Sequence, residues 1–84
     1  MKDKMIVFSA TWCGPCRIYK GIYERFLRNN PSIELQKIDI DTDGVLTEQY
    51  SVRSVPTTVF IKNGVVSGRI TGVVQPNELA KFFS

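Results

Sequence analysis

The chain has 84 residues, 43% hydrophobic and 23% charged. That leaves room for one small domain, 1–84, and excludes a disordered or collagen-like chain. Eleven basic and eight acidic residues give a net charge of +3 with no long basic run, so no nucleic-acid partner is expected. With no His and only two Cys, a four-ligand zinc site within one chain, a multi-disulfide scaffold and histidine catalysis are all excluded.

Val and Ile number 17 against 4 Leu, an excess of β-branched residues that favours a central sheet. Met5-Ile6-Val7-Phe8 reads as a buried strand; it is too short for a signal sequence or a membrane span, so a cytoplasmic location without membrane attachment is expected. Thr11 to Cys16 is a turn containing Gly14 and Pro15. A helical pattern follows from about Pro15 to Asn29, with Ile18, Ile22, Phe26 and Leu27 as its apolar positions. Gly21 weakens that helix and suggests close packing there. Asn29-Asn30-Pro31 ends it.

Ile33 to Ile40 is a second strand whose apolar positions serve both faces. In Asp41-Thr42-Asp43-Gly44, either Asp41 or Asp43 suits the cap of a short helix through Tyr50. Thr57 to Lys62 is a third strand, Asn63-Gly64 a hairpin turn, and Val65 to Thr71 a fourth strand. Pro76 opens a last helix with Leu79, Phe82 and Phe83 on one stripe. A helix between the first two strands makes them parallel with a right-handed crossover, and the hairpin makes the last pair antiparallel. The expected class is α/β, a four-stranded mixed sheet with three helices on both faces in the order β-α-β-α-β-β-α.

Cys13-Gly14-Pro15-Cys16 is the chemical centre. Two residues three apart at a helix start lie within disulfide reach. The unpaired N–H groups and dipole of that helix end favour a thiolate, with the first Cys exposed. Cys13 is then the nucleophile that captures a target disulfide, and Cys16 resolves the mixed disulfide. Gly14 leaves room for the target chain, and Pro15 costs no hydrogen bond in a first turn. A structural disulfide would close too short a loop to stabilise much, and a zinc site would need a second pair. An iron–sulfur cluster shared between two copies stays open at this point.

Around these residues the chain resembles the thioredoxin family. Trp12-Cys13-Gly14-Pro15-Cys16 matches that family's active-site pentapeptide, followed by the basic Arg17. Val52-Arg53-Ser54-Val55-Pro56-Thr57 matches its cis-proline segment, Phe60-Ile61-Lys62-Asn63-Gly64 its hairpin, and Gly72 its groove glycine. The resemblance implies a minimal thioredoxin-like fold with Trp12 over the active site and a cis Val55–Pro56 bond facing Cys13. It also implies a substrate groove formed by Val55, Pro56, Gly72, Val73 and Ile40, although Ile40 and Val73 also fit ordinary core positions. It further implies no bound cofactor, a redox-active Cys13–Cys16 disulfide, oxidised proteins as substrates and an NADPH-dependent thioredoxin reductase as electron donor; no long exposed apolar helix demands a dimer, so a monomer is expected.

Two departures stand out. Typical members carry an extra strand and helix before the first strand here, so the outline is closer to that of a glutaredoxin or of the short archaeal thioredoxin-like proteins. Many also place a buried Asp where this chain has Val7, a partner that Lys37 lacks, so slower resolution by Cys16 is expected. Two rival functions remain. A glutathione-dependent, glutaredoxin-like reductase would usually show Cys-Pro-Tyr-Cys and a second Gly after Gly72. A redox-silent binding module would have no need of two thiols at this spacing.

Overall fold

A computed structural model describes residues 3–83. Its elements run β1 (Lys4–Ser9), α1 (Gly14–Arg28), β2 (Glu34–Asp39), α2 (Gly44–Gln49), β3 (Thr57–Lys62), β4 (Val65–Thr71) and α3 (Pro76–Lys81). The strands form one sheet in the order β2-β1-β3-β4. β1 pairs parallel with β2, Val7 opposite Lys37, and antiparallel with β3, Val7 opposite Thr58. β3 and β4 form the expected hairpin. Asn63 and Gly64 both have positive φ, 54° and 80°, as the two central positions of a type I′ turn require. This is the mixed α/β sheet that the element order implies.

The two faces of β1 divide the core. Met5 and Val7 point towards α1 and α3, packing with Tyr19, Tyr23, Phe26, Phe60, Val74 and Leu79. Ile6 and Phe8 point the other way, packing with Ile38 and Val59 and with Leu46 and Tyr50 around α2. The alternation is what a strand buried on both faces must show. β2 lies at a sheet edge and follows the same rule without a break: Leu35 joins the α1 side and Ile38 the α2 side. Among the described residues, no helix is long and apolar enough to cross a membrane.

Three details differ from the sequence reading. The buried stripe of α1 is Cys16, Tyr19, Tyr23 and Phe26, while Ile18 is 66% exposed. Both sets have helical spacing, and the choice falls to the set that keeps both cysteines and Tyr19 inside. Tyr19 can be buried because its hydroxyl lies 2.7 Å from the Thr58 hydroxyl, also buried. Gly21 packs against nothing: a Cβ there would meet no atom within 4 Å. Finally, α3 stops at Lys81. The Phe82 and Phe83 amides bond three residues back, to Leu79 and Ala80, in a tightened last turn. Their rings still pack on Phe60, with centroids at 3.9 and 5.6 Å.

Candidate active site

β1, an interior strand, ends at Ser9, and Ala10 to Trp12 turn the chain from there into α1. Cys13 is the N-cap of that helix, and its sulfur takes the place usually filled by a Ser or Asp oxygen. The Cys16 N–H donates to Cys13 Sγ at 3.2 Å, so one of the orphan donors of the first turn is satisfied by the sulfur itself. Pro15 in the first turn has no N–H to lose. Arg17 reaches back to the Thr11 carbonyl at 2.9 Å and ties the loop to the helix. Cys13 and Cys16 form a disulfide with Cα atoms 5.3 Å apart.

At a helix mouth Cys13 is expected to be exposed. The disulfide is instead tucked in, with Cys13 5% and Cys16 7% exposed. They share a small cluster with Ala10, against which Ile40 and Val55 pack. Capping draws the Cys13 sulfur inward, where it lies 3.8 Å from the Val55 carbonyl oxygen. A disulfide sulfur has no proton to donate, so this is a packing contact within reach of a reduced thiol. On the outer side, a Cβ at Gly14 would meet nothing within 4 Å, so the approach over the dithiol is open.

The neighbouring residues arrive from three other parts of the chain. The Val55–Pro56 peptide bond is cis. The Pro56 carbonyl accepts from the Gly72 N–H at 2.7 Å, joining the segment before β3 to the end of β4. Gly72 holds φ at 102° with open space around it, a conformation in which most other residues are strained. Thr57 Oγ1 donates to the Ser54 carbonyl at 2.7 Å and lies 3.3 Å from the Thr71 hydroxyl, fixing the same corner. Trp12 is 64% and Val73 37% exposed. Ile40 and Val55 thus pack on the two cysteines, Trp12, Gly14 and Pro15 adjoin them in the chain, and Pro56 and Gly72 are hydrogen-bonded to each other next to Val55. Val73 sits beside Gly72 in sequence, with its side chain partly in solvent.

Sequence reasoning missed what holds Trp12. Its Nε1–H donates to Asp41 Oδ2 at 2.9 Å, across 29 positions of the chain. The sequence allows Asp41 as a helix cap, but the cap of α2 is Asp43, whose Oδ1 accepts from the Leu46 N–H at 3.1 Å. Spacing alone could not separate the two, because only the fold places the end of β2 beside the loop before α1. Among the described residues, no group of three or more His, Cys, Asp or Glu is placed to hold a metal.

Comparisons with known proteins agree with this geometry. A sequence model described as thioredoxin matches residues 1–84. A thioredoxin from Chlamydia trachomatis is 36% identical over 80 residues, covering 95% of this chain and 78% of that protein. One from Mycoplasmoides gallisepticum is 32% identical over 78 residues, covering 93% and 78%. The X-ray structure of Fasciola hepatica thioredoxin has a TM-score of 0.87 at 32% identity, over 96% of this chain and 78% of its own.

Proposed function

The chain belongs to the thioredoxin family and is a thiol–disulfide oxidoreductase, and on that footing we propose that it works as a cytoplasmic reductase of protein disulfides. The observation that carries this reading is the Cys13–Cys16 disulfide at the mouth of α1, with the Val55 carbonyl 3.8 Å from the first sulfur. The reduced Cys13 thiolate, favoured by the helix N-terminus, attacks a target disulfide. One target sulfur leaves, and the other stays bonded to Cys13. Cys16 then attacks Cys13 Sγ, the bond to the target breaks, and the target departs with two electrons and, after protonation, two thiols. An extended target segment pairs with the backbone at Val55, between exposed Trp12 and Val73, in the manner of strand addition.

The dithiol carries both electrons, so turnover needs an electron donor and no bound cofactor. We take that donor to be an NADPH-dependent flavoprotein thioredoxin reductase, and the working form to be a monomer. Insulin-disulfide reduction tests the reading, with thioredoxin reductase and the glutathione system as alternative donors. Turnover with thioredoxin reductase and its loss in Cys13→Ser are expected. Turnover with glutathione alone would assign the chain to the glutaredoxin type. A target that binds Cys13→Ser/Cys16→Ser as tightly as the parent, with no loss of effect, would make it a binding module.

A further inference from the structure

Resolution by Cys16 raises a question of proton balance. The sulfur that attacks Cys13 must first lose its proton, and the chain contains no His. Inward, Cys16 packs with Ala10 and Cys13, and Ile40 and Val55 close over that cluster, so no side chain there can take a proton. Sideways, it opens on a hollow of about 270 Å³, lined by Ser9, Cys16, Lys20, Tyr23, Lys37 and Asp39 together with the loop before α1 and Arg17. That volume holds several water molecules.

The groups that face this hollow differ in what they can accept. Arg17 and Lys20 from α1 and Lys37 from β2 present donors only. Tyr23 keeps its phenolic proton, since burial, and after it the charge of Glu24, pushes that group up. Ser9, from β1, carries a hydroxyl that does not ionise in this range. Asp39 supplies the one carboxylate in the lining. It stands at the end of β2, paired with Ser9, on the same side of the strand as Leu35 and Lys37. The Asp41 N–H donates to its Oδ1 at 2.8 Å, which fixes the carboxylate at the rim.

We propose that Asp39 accepts the Cys16 proton, through water in this hollow, during resolution of the mixed disulfide. The assignment rests on the dithiol-exchange reading of the site. The proton passes from Cys16 Sγ to the Asp39 carboxylate. The Cys16 sulfur forms its bond to Cys13 Sγ as the bond from Cys13 to the target sulfur breaks. The target leaves as a thiolate with the electron pair, and Asp39 returns its proton to solvent or to that thiolate. Asp39 touches neither reacting sulfur and acts through water.

The test uses the reduced full chain and an aromatic disulfide, dithiobis-nitrobenzoate, whose released thiolate is coloured. Attack by Cys13 releases the first thiolate and resolution by Cys16 the second, so stopped flow separates the steps. Asp39→Asn keeps an oxygen for the Asp41 N–H and loses the proton acceptor. Its first phase should match the parent, and its second should slow by about tenfold, at the low end of what a positioned base contributes. That second phase should also climb more steeply with pH between 6 and 8 than the parent's, because it then depends on the free thiolate alone. A second phase with unchanged rate and pH slope in Asp39→Asn would overturn the assignment. So would slowing in Asp39→Ala that Asp39→Asn fully restores, since Asp39 would then only hold the turn. A parent chain with no first phase would instead refute exchange at Cys13, and this assignment with it.

Discussion

Removing one hydroxyl from the core tests the packing logic behind the site. Tyr19 and Thr58 are each 0% exposed, and their hydroxyls lie 2.7 Å apart. Tyr19→Phe keeps the ring and its edge contact with Tyr23, at 5.0 Å between centroids, but strips the Thr58 hydroxyl of that partner. Leaving a buried hydroxyl unsatisfied costs about 1–3 kcal/mol. A chain of this size has roughly 4–13 kcal/mol of stability in all, so the loss should be plain in urea unfolding. Thr58→Val should cost a similar amount for the same reason. The double variant removes both hydroxyls and should recover most of the loss.

The phenol adds a second signature. Burial pushes Tyr19 from 10.0 up to about 12, opposed in part by its bond to Thr58. The folded value is the higher one, so this contribution is complete below pH 10 and is lost as pH rises from 10 towards 12, where the unfolded chain has already released its proton. By pH 11 the loss is on the order of 1 kcal/mol. Tyr19→Phe cannot show it, so the gap between parent and variant should narrow over that range. Strictly additive losses in the double variant, or a parent–variant gap constant from pH 9 to 11, would refute the view of Tyr19 and Thr58 as one buried, mutually satisfied pair.

Other consequences can be checked separately. A Cβ at Gly68 would fall 2.8 Å from Phe82 Cε1, so Gly68→Ala should push that ring off Phe60 and cost about 1–2 kcal/mol in urea unfolding. Arg69 donates to the Tyr50 carbonyl and, at 3.5 Å, to the Ser51 carbonyl at the end of α2, a helix with no basic residue in its last turn. Arg69→Ala should cost about 1 kcal/mol and speed amide hydrogen exchange from Tyr50 to Val52 relative to β1. Trp12→Phe deletes the bond to Asp41, which is exposed, so stability should fall by no more than about 1 kcal/mol, while the KM for insulin rises more than kcat falls. Val7→Asp would bury a carboxyl in the main cluster and should lower stability by several kcal/mol; it should also alter the pH dependence of turnover.

The chemistry was legible because it is local. Cys13 and Cys16 stand three apart, Pro15 fits a first helical turn, and Asn63-Gly64 takes the two positive φ angles of a tight hairpin. Each of these depends on neighbours within a few residues, as do the strand alternation of Met5 to Phe8 and the order of the seven elements.

What spacing left open was decided by contacts between distant segments. Two apolar stripes competed on α1, and the sheet chose Tyr19 over Ile18 because Thr58, 39 positions away, offers the phenol a partner. Asp41 and Asp43 looked alike as caps until the fold set one against Trp12 and left the other on α2. The inward set of the dithiol and the hollow between Cys16 and Asp39 arise the same way, from the first turns of α1 meeting the ends of β1 and β2. Local propensity is set by a residue and its near neighbours, whereas burial and hydrogen bonding across the sheet depend on which surfaces meet. A linear pattern carries the first and only the packed molecule fixes the second.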